Sequence, residues 1–289
     1  MKTASLILLL LPLLAPAREP LAQRIAHTEP SKYRAGKRVH AGAGELHYQG
    51  LFDAQTFNTN ILFLHRGELQ PGGGIGHHFH NHMEEMFVIF DGEAQFTING
   101  RTSLLKGPAG APCRMGSSHA IYNPTNKPVQ WMNIAVGSIK GKYDAWDLGD
   151  DRVGAALDAT PVFIAMKLDR GLLPALGGGM EAQQRRALPP EVFYTNWSYV
   201  DHVLVAAGKQ IRPHRHEGVE EFYYVMSGEG VVRVGSESAP VKKGDAVPVF
   251  LGETHSFEAA AAEPLEMMVV GVTRAKWALD SAPVVVTAK

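Results

Sequence analysis

The chain has 289 residues, 45% apolar and 20% charged, a globular composition with room for one large domain or two ordinary ones; disorder, collagen-like repeats and a polytopic membrane protein are excluded. Its 28 basic and 29 acidic residues nearly cancel, so no global field draws it to phosphate backbones or anionic lipid, and nucleic acid is not an expected partner. One cysteine, Cys113, rules out an internal disulfide and a cysteine-held zinc cluster, so any metal must be held by carboxylate and by some of the 13 histidines.

In chain order, residues 1–17 read as a signal peptide: Lys2, an apolar stretch from Leu6 to Leu14, then Ala15-Pro16-Ala17 with small residues where a signal peptidase inspects the chain. A membrane anchor is the competing reading, but a span needs about 20 apolar residues and this run is much shorter, with Pro12 inside it. Cleavage is expected after Ala17, giving a secreted or periplasmic protein with no membrane attachment. Residues 18–44 read as a polar, basic surface arm.

From there the chain repeats itself. His78, His80, Glu85, Gly92, Pro112, Gly116 and His119 reappear 136 positions later as His214, His216, Glu221, Gly228, Pro248, Gly252 and His255. The same offset carries Gly72 onto Gly208, and Phe57, Thr59 and Asn60 onto Phe193, Thr195 and Asn196. Two domains are therefore expected, over 45–140 and 191–280. Within them short runs rich in Val, Ile, Phe, Tyr and Met read as strands: Ile61 to His65, Met86 to Phe90, Ala94 to Ile98, Val129 to Val136, Phe222 to Val225, Gly230 to Val234 and Glu266 to Val272. Turn signals such as Asp91-Gly92, Asn99-Gly100 and Ser227-Gly228 separate them, which predicts an all-β sandwich or barrel in each repeat. Residues 141–190 read as a loop-rich linker, with acidic turns at Asp144 to Asp151, glycines at 177–179 and a helix over Met180 to Ala187; residues 281–289 form a tail.

The spacing also predicts chemistry. Residues two apart on a strand share a face, so His78 and His80, like His214 and His216, project side by side. After a short turn Glu85 or Glu221 opens the returning strand, and His119 or His255 arrives from a later one. Three neutral imidazoles and one carboxylate, with coordination positions to spare, suit Mn, Fe, Co, Ni or Zn better than Ca or Mg, and up to two ions per chain are expected. His77 should face away from the pair, and His82 reads as a loop histidine because only His80 keeps the spacing to glutamate that His216 shows.

These residues resemble the two-motif signature of the cupin superfamily. Gly72, His78, His80, Glu85 and Gly92 fit its first motif, G-x5-H-x-H-x3,4-E-x6-G, as do Gly208, His214, His216, Glu221 and Gly228. The second motif is matched in part, by Pro112, Gly116, His119 and Asn123 with a wider gap after the proline, and by Gly244, Pro248, Gly252 and His255, where Ala259 replaces the asparagine. The resemblance implies a bicupin: two tandem jelly-roll β-barrels with little helix. It also makes a homo-oligomer an expectation. Cupins include oxalate oxidases and decarboxylases, dioxygenases, isomerases, lyases and non-catalytic binding proteins, so the fold does not fix the reaction.

The two copies differ in their walls. Arg212 replaces Gly76 and Tyr223 replaces Phe87; by strand alternation both should enter the second interior, a guanidinium to clamp a carboxylate and a phenol to donate a proton. The competing reading leaves Arg212 in solvent at the barrel mouth and Tyr223 in plain core. Gln95 and Thr97 stand in the first copy where the second has Val231 and Arg233, which gives the first pocket polar groups of its own. The leading expectation is a metal-dependent enzyme, oxygenase- or decarboxylase-like with Mn or Fe, acting on a small carboxylate or similar oxygen-rich substrate. The alternatives are a Lewis-acid isomerase or lyase on a sugar-type substrate and a non-catalytic metal- or ligand-binding protein.

Overall fold

The computed structural model describes residues 19–176 and 181–277 and the backbone of 284–285; the expected signal peptide lies outside the described residues. The chain forms two antiparallel β-barrels with little helix, each built from two facing sheets. In the first barrel, Gly74–His80, Ser117–Tyr122, Glu93–Ile98 and Arg101–Lys106 make one sheet with Trp146–Asp150 at its edge. The facing sheet runs Met166–Lys167, Ala109–Cys113, Met83–Ile89, Val129–Gly137, Ile61–Leu69, Glu45–Asp53 and Arg34–Lys37. The second barrel repeats this order. Glu229–Val234 and Glu237–Lys242 fall at the 136-residue offset from their counterparts.

The two larger sheets pack back to back. One apolar cluster spans both, with Phe52, Leu64, Met132 and Ile134 from the first barrel meeting Phe193, Val200, Phe222 and Val270 from the second. This explains why Met83–Ile89 and Leu265–Thr273 are buried at every position: each strand shows one face to its own barrel interior and the other to the neighbouring barrel. Such strands read as continuous apolar runs rather than alternating ones.

The segments expected as arm and linker are structural parts of the barrels. Leu21 and Ile25 are buried in the core of the second barrel, and Ala26 and His27 pair with Ala246 and Asp245. Met166 and Lys167 pair with Gly110 and Ala109 in the first barrel, 136 residues before the partners of Ala26 and His27. Each barrel is thus edged by the segment that precedes the other. The helix expected over Met180 to Ala187 is a correction: Ala182–Leu188 is a strand paired with Trp197–Val205 (Met180 lies outside the described residues). A free edge on the second barrel outweighs the helix preference of Gln, Arg and Ala there. It is the repeat of Glu45–Asp53, unmarked by any shared residue motif.

Cross-barrel hydrogen bonds follow the duplication. Glu84, fully buried beside Glu85, accepts from the Tyr194 and Thr195 amides (2.9 and 2.8 Å) and the Thr195 hydroxyl (2.6 Å) of the other barrel. Its repeat partner Glu220 accepts from Asn58 Nδ2 and the Thr59 amide, at 2.8 and 2.7 Å. Lys140 and Lys276 tie the same turns from behind, donating to the carbonyls of Ala54, Phe57 and Thr59 and of Pro190 and Trp197 respectively. Glu84→Ala leaves buried donors unpaired and should cost about 3 kcal/mol in a denaturant titration. The exposed Glu229→Ala should change stability by less than about 0.5 kcal/mol in the same experiment. Equal effects would mean that the latch contributes nothing.

Candidate metal centres

In the first barrel the strand Gly74–His80 turns His78 and His80 inward, Glu85 faces them from Met83–Ile89, and His119 arrives on Ser117–Tyr122, opposite His78 in the sheet. All four are buried, and their ligand atoms lie within 4.8 Å of one another. His119 Nε2 is 3.0 Å from His78 Nε2, 3.1 Å from His80 Nε2 and 3.3 Å from Glu85 Oε2. The His78 Nδ1–H donates to the Gly76 carbonyl (2.8 Å) and the His80 Nδ1–H to that of Asp144 (2.7 Å), so both Nε2 lone pairs point at the shared centre. Burial pushes His119 down to about 4 and lowers His78 further, which keeps both rings neutral near pH 7.

The second barrel rebuilds the arrangement with His214, His216, Glu221 and His255, again within 4.8 Å. Nδ1–H of His214 donates to the Arg212 carbonyl at 2.9 Å and that of His255 to the Glu253 carbonyl at 3.1 Å. Glu221 Oε2 lies 3.2 Å from His255 Nε2 and 3.6 Å from His216 Nε2. Burial lowers His214 to about 4. Burial alone would raise both glutamates, but the imidazoles around each hold them below the ordinary carboxylate range.

The His78 and His80 lone pairs both face His119 Nε2 at about 3 Å; a neutral His119 has at most one proton to offer there, whereas a cation among them and the Glu85 carboxylate would satisfy every nitrogen at once. Three nitrogens and one oxygen are the donor set of a borderline transition ion, and each group can hold one.

The centres differ in enclosure. The first is closed by segments outside the repeat: the His40 ring stacks on His78 with centroids 3.9 Å apart, and Tyr143 and Asp147 both bond His40. The second borders a cavity of about 310 Å³ lined by Arg186, Trp197, Tyr199, Tyr223 and Trp277 among others, and among the described residues His214 and His216 are only partly buried.

The eight expected ligands therefore meet in two quartets. His77 faces away, bonding Ser118 Oγ at 2.8 Å, and His82 stays in the turn outside the quartet. Tyr223 enters the second interior, its hydroxyl 3.0 Å from Glu221 Oε2 and 2.9 Å from His255 Nε2. Arg212 does not. It is exposed and outside the cavity lining, because the strand meant to aim it is only His214–Arg215 and Pro213 breaks the alternation before it. The guanidinium in the cavity belongs to Arg186, held by Asp201 through Nε at 2.9 Å. Gln95 and Thr97 also fall outside the first cavity; Thr97 bonds Thr102, and the polar groups facing Glu85 are those of His65, Asn133, His40 and Tyr143.

The sequence reading missed Tyr199, whose hydroxyl donates to Glu221 Oε1 at 2.6 Å, and Asn133, whose Nδ2 donates to Glu85 Oε2 at 3.1 Å. An asparagine set between Met132 and Ile134 in the mostly apolar run Val129 to Val136 was a usable signal. His40 and Tyr143 carried none, since neither segment repeats.

A cupin domain is matched twice, at residues 65–135 and 201–271. The chain is 31% identical over 94 residues to the oxalate-binding protein of Thermotoga maritima, an alignment covering 32% of this chain and 78% of that protein. It is 27% identical over 120 residues to a mannose-1-phosphate guanylyltransferase of Klebsiella pneumoniae, 42% of this chain but only 24% of that longer protein. Among solved structures, the oxalate decarboxylase of Lactobacillus farciminis in complex with formate aligns over 87% of both chains with a TM-score of 0.63 at 13% identity. That of Bacillus subtilis at pH 4.6 aligns over 86% of this chain and 76% of its own with a TM-score of 0.61 at 16% identity. At such identities the likeness is one of fold. Two cupin-domain matches, one in each barrel and set apart by the repeat offset, make this chain a member of the cupin superfamily, and specifically a bicupin.

Proposed function

We propose that the chain is an exported, metal-dependent bicupin enzyme whose second centre acts on a small, oxygen-rich carboxylate by decarboxylase- or oxygenase-like chemistry. The observation that carries this reading is the cavity at the second quartet, which brings solvent-sized access, a guanidinium and two phenols to the same carboxylate and imidazoles. A relative named for binding oxalate and structural neighbours that decarboxylate it support the choice of substrate class. Mn or Fe is the preferred ion; a Bacillus subtilis oxalate decarboxylase of the same fold carries Mn(II) centres. Bound there, the ion would polarise a substrate oxygen or engage in redox chemistry.

The protein's own groups set the geometry. Tyr199 and Tyr223 each donate to one oxygen of Glu221, which fixes the carboxylate that would complete the quartet. Tyr223, touching His255 Nε2 as well, is the nearest proton source to the centre; burial raises its pKa, so it enters any reaction protonated. Arg186 spends two N–H groups on Asp201, at 2.9 and 3.1 Å, and keeps others to receive a carboxylate at the cavity wall. A binding-only role draws on the oxalate-binding relative, and turnover assays separate it from catalysis.

Metal analysis of protein from its natural compartment should find up to two ions per chain, and His214→Ala with His216→Ala should remove one of them and lower carboxylate turnover at least about a hundredfold. Unchanged turnover would end the enzyme reading of this centre. Tyr223→Phe should retain the ion and reduce kcat by roughly 10²- to 10⁴-fold. Arg186→Ala should raise KM for a dicarboxylate roughly 10- to 100-fold while the exposed Arg212→Ala leaves it unchanged, a contrast that steady-state kinetics reads directly. N-terminal sequencing of the exported form should begin at Arg18.

A further inference from the structure

The first centre faces a separate cavity of about 220 Å³, below the roughly 300 to 1,000 Å³ typical of drug-sized sites. It is lined by Glu85, His65, Asn133, His40, Tyr143 and Tyr48 among others. Asn133 is 6% exposed, and its Oδ1 has no hydrogen-bond partner among the described residues. Its amide cannot be turned to hide that oxygen, because Nδ2 already donates to Glu85 and a flip would set Oδ1 against a carboxylate. A buried acceptor therefore waits for a donor in this cavity, at a cost that a bound O–H would relieve.

The opposite wall is held at evident backbone expense. Arg38, His40 and Ala41 all have left-handed φ, of 50°, 50° and 59°, in a region that side chains other than glycine rarely enter. The strain sets His40 over His78, where Nδ1 meets Asp147 Oδ1 at 2.6 Å and Nε2 meets the Tyr143 hydroxyl at 3.1 Å. A Cβ at Gly76 would collide with the His40 carbonyl, so the glycine here, where the second copy has Arg212, is what admits the arm. With the His40 Nδ1–H donated to Asp147, Nε2 accepts from the Tyr143 hydroxyl, and the Asn133 oxygen is the acceptor left open in the cavity. His65, which burial pushes down to about 4, adds a neutral imidazole.

We infer that the first centre is a second, distinct binding site for a small α-hydroxy carboxylate, whose hydroxyl donates to Asn133 Oδ1 beneath the His40–Asp147–Tyr143 cover. One ion against the single charge of Glu85 leaves a positive surplus for the ligand's carboxylate. At the second centre Val269 replaces Asn133 and Tyr199 replaces Phe63, so the two cavities select different ligands. The inference rests on the metal reading above, but on the other centre, and so fails separately from it.

The test uses the full chain with His214→Ala and His216→Ala, loaded with Co(II) so that only the first centre carries an ion. Glycolate and acetate, which differ by one hydroxyl, are titrated while the visible Co(II) spectrum is followed. Glycolate should bind about tenfold tighter. Asn133→Val should bring it to parity with acetate while Co(II) content is retained. Should that variant lose the ion, methoxyacetate, which keeps the ether oxygen but has no O–H to donate, should bind the parent no tighter than acetate does. Equal affinities for glycolate and acetate in the parent, a preference that survives Asn133→Val, methoxyacetate binding as tightly as glycolate, or no Co(II) uptake at the first centre would each overturn the inference, whatever turnover the second centre shows.

Discussion

Each barrel is organised around a pair of inward imidazoles whose Nδ1–H groups are committed to backbone carbonyls two residues back or on a neighbouring loop. His78 and His214 make the same bond, to the carbonyls of Gly76 and Arg212. With that proton placed, the opposite nitrogen can only be a lone pair, and in each barrel two such lone pairs meet a third imidazole and a buried carboxylate. Burial disfavours protonation of the rings, lowering His119 and His214 to about 4, so they stay neutral near pH 7. The interior is therefore arranged for a cation supplied from outside. The surrounding strands, turns and second-barrel contacts serve to keep these nitrogens from rotating away.

Duplication preserved that arrangement and released the walls. At positions related by the repeat, Phe63 and Phe87 of the first barrel became Tyr199 and Tyr223 in the second, and the glutamate's neutral partner changed from Asn133 to the two phenols. His65 corresponds to Asp201, which holds Arg186 at the cavity wall. None of these exchanges replaces a ligand. They alter which donors and acceptors face whatever lies before the ion, and this is where one fold acquires different chemistry. Gly76 and Arg212 show the same logic at the backbone: bare backbone at Gly76 lets the arm fold over the first centre, and the second copy carries a long side chain at that position.

The parts of this legible in the sequence are those fixed by short-range geometry. Two histidines separated by one residue must share a strand face, and a second copy at a fixed offset excludes coincidence, so both quartets could be read before any coordinates. The strands were legible where Val, Ile and aromatic runs end in glycine turns. Ala182–Leu188 was not, because Gln, Arg and Ala take up a strand only when an edge is offered by Trp197–Val205, a tertiary fact. Arg212 misled for a related reason: alternation holds only inside a strand, and the strand begins after it. His40, Asp147 and Tyr143 converge from segments more than 100 residues apart, which no local pattern encodes.

The same offset that relates the centres also ties them together. Glu84 and Glu85 are neighbours on one strand, so alternation must send them to opposite faces, one into the barrel as a ligand and the other out to the second barrel's turn at Tyr194 and Thr195. That turn leads into Trp197–Val205, which carries Tyr199 to Glu221. Glu220, beside Glu221, returns the bond to Asn58 and Thr59, at the start of the strand that carries His65 to the first cavity. Each metal-ligand strand thereby anchors a wall of the other centre. With the edge strands exchanged as well, neither barrel is complete alone: its rim comes from the segment before its twin, and its cavity wall hangs from its twin's carboxylate. The duplicated halves are consequently one folding unit holding two unlike sites.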